Sequence, residues 1–308
     1  MPSPLGVPIG FGAGTGLTGV DQVREQARWA ARSGFTSFWV SQILGVDPIV
    51  ALAAVAADVP DIREVGTSVV PLAGRHPLAL AAQARTAQNA LGGRFTLGVG
   101  PSHAMVTEGF YGEPYDRSFS RTVEFLAALV PLLRGESADV VGEQLETHGW
   151  LTIEAEPVPL LLAALGPRML DLAGRVADGT TLGSCGPATI AHHIRPTLRA
   201  SATAAGRPEP RIQAMVSVAV TDDPRRAHAE AVVAEQLYDA LPSYRRVLDL
   251  EGVASQANLL LAGTLDRIVA GLGDYVDAGV TELRLLIGSS DGSVRARTRD
   301  ALAELVGG

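Results

Sequence analysis

Two glycine-rich loops and a histidine are where this sequence offers chemistry. In Gly98-Val99-Gly100-Pro101-Ser102-His103, glycines at the end of a short apolar run let a ligand approach the backbone closely. His103 then supplies a group that gains or loses a proton near neutral pH, although a tight turn with a solvent-facing histidine has the same pattern. In Ala163-Ala164-Leu165-Gly166-Pro167-Arg168-Met169, a glycine precedes a proline suited to the first position of a helix. The free amides of such a helix start attract a phosphate, and Arg168 beside them adds a full charge; plain capping with Arg168 on the surface is the alternative. Leu182-Gly183-Ser184-Cys185-Gly186-Pro187 repeats the design, and two such loops together point to an anion cradle more strongly than either alone. Thr67-Ser68-Val69-Val70-Pro71 adds two hydroxyls on alternating faces, so only one of Thr67 and Ser68 should face a ligand.

Other chemistries are excluded by what the chain lacks. All 25 basic residues are arginine. Lysine Schiff bases, pyridoxal phosphate chemistry and Walker-A nucleotide hydrolysis therefore fall away, since each needs a lysine nitrogen. His192 and His193 are helical neighbours on different faces, and no H-E-x-x-H or Cys/His cluster exists, so no metal site is expected. Cys185 is the sole cysteine, which permits no internal disulfide; flanked by small residues and with no histidine in its loop, it reads as packing against a ligand and not as a nucleophile. No G-x-S-x-G elbow is present. A formal net charge of −8 without basic runs argues against nucleic acid as a partner. No apolar run is long enough for a membrane span and no secretion signal opens the chain, so a soluble cytoplasmic protein is expected.

The elements that must hold these loops follow a repeated junction. Helical, alanine- and arginine-rich stretches end at glycine, and a short apolar run follows: Ser33-Gly34 before residues 35–40, Gly92-Gly93 before 94–99, Asp178-Gly179 before 180–182, and Gly279 before 280–287. Glycine supplies the left-handed residue that stops a helix, and the run after it reads as a buried parallel strand. Eight strands are expected at residues 7–11, 36–40, 64–70, 95–99, 158–163, 180–182, 212–220 and 282–287. Helices are expected at 20–32, 48–57, 77–91, 120–133, 168–176, 188–205, 225–237, 265–277 and 295–305. Two long connections, 100–118 after the fourth strand and 240–263 after the seventh, read as lids or pocket walls. Residues 140–153 alternate around Gly142 and suit a small hairpin.

This βα alternation implies a (β/α)8 TIM barrel with insertions after strands 4 and 7, in one domain over residues 1–308. A doubly wound nucleotide-binding sheet competes, because Gly14-Thr15-Gly16-Leu17-Thr18-Gly19 matches G-x-G-x-x-G. That match lacks its context: Gly19 precedes the helix, and Ser41-Gln42 ends the second strand where a ribose-binding acid belongs. Residues 10–19 are read as the first βα loop. In a barrel the loops after the strands converge, so the deepest pocket should be walled by Thr67, Ser68, Gly100, His103, Gly166 and Ser184, under residues 100–118.

The chain resembles the bacterial luciferase-like superfamily, in particular its deazaflavin (coenzyme F420)-dependent oxidoreductases. The resemblance runs from the first strand to the eighth. It is carried by Gly92-Gly93-Arg94-Phe95-Thr96-Leu97-Gly98-Val99-Gly100, by Tyr111-Gly112…Tyr115-Asp116-Arg117 leading to Arg121 and Glu124, and by the Ala164–Met169 loop followed by Ala173-Gly174-Arg175-Val176-Ala177-Asp178-Gly179. It implies a barrel, often a homodimer, acting on a small-molecule substrate with coenzyme F420, or alternatively FMN in a monooxygenase. A non-catalytic flavin-binding protein is the third possibility. The resemblance puts the ring against Ser68-Val69, where relatives have a non-prolyl cis peptide, and edges it with Gly100, Pro101 and Ser102. Ala164, Leu165, Gly166, Gly183 and Ser184 would line the side chain and phosphate; from the loop sequences themselves come Arg168 at the phosphate and Thr67 as a ligand-facing candidate. His103 falls near the slot where sugar-phosphate dehydrogenase relatives place an acidic proton donor, and it is the implied partner of hydride transfer at the deazaflavin C5. After the second strand relatives often carry Asp-His, whereas this chain has Gln42-Ile43, which argues against glucose 6-phosphate as the substrate.

Overall fold

Residues 4–14 and 16–307 are described by a computed structural model. Eight strands form a closed parallel barrel: β1 (Ile9–Ala13), β2 (Ser37–Val40), β3 (Glu64–Thr67), β5 (Phe95–Gly100), β8 (Leu160–Leu162), β9 (Gly179–Leu182), β10 (Arg211–Val220) and β12 (Glu282–Ile287). Each pairs with the next, and β12 returns to β1 through Ile9 opposite Leu283. The competing open sheet is thereby excluded. Of the G-x-G-x-x-G loop, Thr15 lies outside the described residues.

Helices α1 (Val20–Ser33), α2 (Pro48–Ala54), α3 (Pro77–Ala90), α5 (Ser118–Leu133), α6 (Pro167–Val176), α8 (Arg195–Ala204), α11 (Leu265–Asp277) and α12 (Gly292–Gly307) surround the barrel. The junction glycines act as the sequence implies. Gly34, Gly92, Gly93 and Gly279 all take left-handed backbone. Gly179 is different: a Cβ there would stand 2.3 Å from the Arg211 carbonyl oxygen, so its role is close strand approach.

The first strand begins two residues later than expected, at Ile9, and so includes Gly10 and Gly12. Both are needed inside the barrel. A Cβ at Gly10 would lie 2.1 Å from the Ser37 hydroxyl, and one at Gly12 would lie 2.7 Å from Leu286. The space goes to Trp39, which is fully buried. Its indole donates to Ser37 at 2.8 Å, and Ser37 donates to Glu282 at 2.7 Å. Arg211 grips Glu64 with two bonds of 2.8 Å and reaches Glu282 at 2.7 Å. This ionic layer ties β2, β3, β10 and β12 across the barrel floor.

Two insertions complete the chain. After β5 come α4 (Ala104–Gly109), which the sequence reading missed, and, beyond α5, a hairpin of β6 (Ala138–Val141) and β7 (Glu146–Gly149). After β10 come α9 (Pro224–Asp239), α10 (Pro242–Glu251), a 3-10 turn (Gln256–Leu259) and β11 (Leu261–Gly263), which pairs alongside β10. Pro242 opens α10 and left-handed Gly252 ends it, as their types require. A short helix α7 (Pro187–Thr189) runs through a π turn into α8. Among the described residues no helix is long and apolar enough to cross a membrane.

Candidate active site

The third strand, expected as one run to residue 70, is interrupted. It stops at Thr67, the Ser68–Val69 peptide is cis, and β4 (Val70–Pro71) resumes pairing with β5. Thr67 closes the gap between strands: its hydroxyl donates to the Gly98 carbonyl at 2.8 Å and accepts the Gly98 amide at 2.9 Å. That hydroxyl is fully buried and its one hydrogen is spent on Gly98, so it has no proton to offer a ligand. Ser68 is the one that faces the barrel axis, donating to Thr181 at 2.8 Å, which in turn donates to Gln213 at 2.7 Å. The Ser68 carbonyl accepts from Ser41 at 2.5 Å and from Arg284 at 3.1 Å. Val69 is half-buried and leans on Gly98 and Gly100, where side chains would crowd it. Gly98 is further constrained, since a Cβ would sit 2.0 Å from the Thr67 carbonyl oxygen.

After β5 the chain turns through Pro101 and Ser102, both half-buried, with Ser102 held at φ 64°. A non-glycine residue in this region is uncommon and is found where surrounding contacts hold it. Here Tyr115 does so by donating to the Ser102 carbonyl at 3.0 Å. His103 begins α4, and its ring meets Tyr244 at 5.5 Å and Tyr238 at 6.3 Å between centroids. Neither tyrosine was identified from the sequence. Both belong to the insertion after β10, so that insertion folds over the same mouth as the loop after β5. Tyr244 also spans to the β9 loop: its hydroxyl lies 3.2 Å from where a Gly183 Cβ would stand.

The two proposed anion cradles separate in the structure. At the second, Glu251 of α10 already occupies the helix start, accepting from the Ala188 amide at 3.2 Å and the Thr189 amide at 2.7 Å. A Cβ on Gly186 would strike that carboxylate, so the glycine serves an internal cap and no phosphate cradle remains there. At the first, α6 starts from Gly166 with no side-chain cap, and nothing lies within 4 Å of a Cβ built on it. Ala164 is buried, and the Leu165 carbonyl is engaged by His193 at 3.0 Å. Arg168 is exposed, with its guanidinium 4.0 Å over the Phe119 ring.

Ser184, at φ 45°, opens onto a cavity of about 330 Å³. Its other walls are Met215 and Ser217 of β10, Glu235 of α9, Gln256, Tyr275 and the end of β12. None of Thr67, Ser68, Gly100, His103 or Gly166 lines this chamber, which differs from the pocket expected from the sequence. The insertion after β10, and not the one after β5, builds its roof.

Burial sets the charges at the mouth. It holds His103 below its ordinary value, favouring the neutral imidazole. It pushes the Tyr244 hydroxyl up to about 12, with Tyr238 adding to the rise. Glu235 is raised by burial and by Asp239. Arg284, 3% exposed, is lowered by burial to about 10 and stays cationic at neutral pH. Gln42, at the position where Asp-His was looked for, accepts from Arg75 at 2.6 Å and supplies no acid.

These residues fit a phosphate-bearing flavin-type cofactor on three counts. An uncapped helix start is open beside an arginine, Gly98 and Gly100 let Val69 settle low against the fifth strand below the mouth, and Arg284 keeps a buried Nε without a partner among the described residues. Known proteins are similar to this chain over most of its length. A 5,10-methylenetetrahydromethanopterin reductase of Methanolobus tindarius is 24% identical over 286 residues, covering 91% of this chain and 86% of its own. An F420-dependent glucose-6-phosphate dehydrogenase of Nakamurella multipartita is 29% identical over 243 residues, covering 74% and 71%. An F420-dependent secondary alcohol dehydrogenase, solved with an F420–acetone adduct, has the same fold with a TM-score of 0.82 at 19% identity, over 98% of both chains. The model of the luciferase-like monooxygenases matches residues 5–306, and the chain belongs to that family.

Proposed function

We propose that this protein is a coenzyme F420-dependent oxidoreductase that acts on a small uncharged molecule. The observation that carries the cofactor reading is the contrast between the two helix starts: one is filled by the chain's own Glu251, and the other, at Gly166, is left open beside Arg168. An anionic cofactor side chain suits that opening in a protein whose overall charge repels anions. When bound, the deazaflavin supplies the hydride chemistry.

The protein's own residues do the rest. The Ser68–Val69 floor, braced by Thr67, Ser41 and Arg284, gives the ring a flat seat. His103, kept neutral by burial, takes the proton from an alcohol hydroxyl and returns it to a ketone in the reverse direction. Tyr244 retains its proton at neutral pH and acts as a hydrogen-bond donor between His103 and the β9 loop. Tyr238 and Tyr244 also shield the reacting atoms from water.

The chamber beside Ser184, which His103 does not line, takes the part of the substrate remote from the reacting carbon and suits a neutral group. Its arginine, Arg295, donates to the Ser289 carbonyl at 3.0 Å, and Glu230 is paired with Arg226 at 3.0 Å. Arg295, the cation on its wall, is also solvent-exposed, so a phosphate would gain only a screened contact from it. Gln256 is buried there with a side-chain amide that has no partner among the described residues, a donor suited to a carbonyl or hydroxyl oxygen. A panel of neutral secondary alcohols and sugar phosphates, offered with oxidised F420 and followed by loss of its visible absorbance, tests the reading. Turnover of neutral alcohols is expected, and turnover confined to phosphorylated sugars would overturn it.

A further inference from the structure

We propose that the chamber beside Ser184 selects substrates that carry a second hydroxyl group remote from the reacting carbon, and that Gln256 and Glu235 are the residues that read it. The inference rests on the alcohol-oxidising reading above and names the substrate class within it. Gln256 is 6% exposed and lines the chamber, and its Nε2 has no partner among the described residues. The turn that carries it is fixed without help from that side chain. The Gln256 backbone amide donates to Asp239 at 2.8 Å, Ser255 accepts from the Ala257 amide at 3.1 Å, and Asn258 accepts from the Ser255 amide at 3.0 Å. The side-chain amide is therefore spare. A buried donor left unmet is costly, so a partner is expected from outside the chain.

Glu235 supplies the opposite polarity. It stands one helical turn before Asp239 on α9, on the face that meets the Gln256 turn. Glu235 also lines the chamber, and among the described residues it forms no hydrogen bond or ion pair. Burial and the nearby Asp239 raise its pKa, and in either protonation state its carboxyl keeps an oxygen that accepts. Glu235 acts through space on Tyr238 and Tyr244, whose rings face His103 at 6.3 and 5.5 Å. The chamber's free acceptor thus adjoins the tyrosines beside the proton-transfer residue, the arrangement that one substrate spanning His103 and the chamber requires.

A hydroxyl is the neutral group that answers both residues at once, because it donates one hydrogen and also accepts. A ketone or ether oxygen would answer Gln256 alone and leave Glu235 without a donor. A methyl group answers neither. An ammonium would suit Glu235 but has only donors to set against the Gln256 Nε2, and a carboxylate would meet Glu235 as a like charge. Met215, Leu260 and Ile287 give the chamber apolar wall, suited to the carbon chain between the two oxygens. The substrate class is therefore a neutral diol and, in the reverse direction, the matching hydroxyketone.

The test uses straight-chain secondary alcohols identical but for the far end, which carries a primary hydroxyl, a methyl group or an ammonium group. Dissociation constants are measured by calorimetry on protein loaded with reduced F420, which cannot oxidise them. Turnover is measured separately with oxidised F420. The wild type should bind the hydroxyl-ended alcohol at least about tenfold more tightly than the methyl-ended one, with a matching preference in kcat/KM. Gln256→Met and Glu235→Leu should each cut that preference to less than about threefold, through KM more than kcat. An unchanged preference in either folded variant overturns the inference. So does wild-type binding that ignores the far end or is tightest for the ammonium, and that comparison needs no variant to fold. Oxidation of these alcohols without a preference removes the inference alone, whereas neither binding nor oxidation of any of them removes the alcohol-oxidising reading and the inference together.

Discussion

His103 sits among tyrosines with no hydrogen bond fixing its ring among the described residues, and burial governs its protonation. Its folded value lies below the ordinary 6.5, which places the acid limb of the activity profile below that pH. His103→Ala should abolish the limb and lower turnover by ~10²–10⁴-fold while changing cofactor affinity little; steady-state rates across pH check both, and an unchanged profile would reduce His103 to a loop residue. Arg168 is exposed and stacked on Phe119, so its contribution to a phosphate is that of a solvated contact. Arg168→Ala should weaken F420 binding by about 1 kcal/mol at low salt and by less as salt rises. The sequence made His103 and the Gly166 loop legible because glycine and proline mark where a strand ends and a helix begins. It did not reveal Glu251 in the second cradle, since a carboxylate 65 positions beyond Gly186 has no local signature. Arg284 did leave a signal. Glu282 and Arg284 alternate with leucines in a strand whose outer face is covered by helices, so the charges had to point into the barrel.

At the scale of elements, the helices and strands followed from their punctuation, and most boundaries fall within two residues of expectation. The departures have physical causes. The third strand broke at Ser68-Val69 because the backbone turns into the mouth there, which a run of β-branched residues conceals. The first strand moved because Gly10 and Gly12, which look like loop residues, make room for Trp39 and Leu286. Much of the family-specific sequence holds the frame and does no chemistry. Arg94 ties the base of β5 to the Val59 and Ile62 carbonyls at 2.7 and 2.6 Å, and Gly174 lets α6 approach α8. Gly98 is the sharpest case. Gly98→Ala would force a methyl onto the Thr67 carbonyl and should destabilise the protein by about 3 kcal/mol or more. Urea unfolding reads this, and a shift under about 1 kcal/mol would mean the floor can move.

Across the whole molecule, the closed barrel brings together residues from opposite ends of the chain, and Arg211 joins Glu64 to Glu282 across 218 positions. Burial and the nearby Glu64 both raise the Glu282 pKa, and Arg211 opposes that rise. Arg211→Met should leave two carboxylates facing each other and cost roughly 2–4 kcal/mol; the cost should shrink at acid pH, where one of them takes up a proton, and calorimetry at two pH values measures it. The same closure gathers the β3 floor, the β5 loop with His103, the open α6 start and the roof from α9 and α10 at one end of the barrel. That gathering, with the open helix start at Gly166, is the basis for proposing the deazaflavin. It is tested most directly by titrating the purified protein with oxidised F420 and, separately, with FMN, following each by its fluorescence. Saturable stoichiometric binding of F420, with FMN at least about tenfold weaker, is the expected result. Tight binding of FMN with no saturable response to F420 would contradict it.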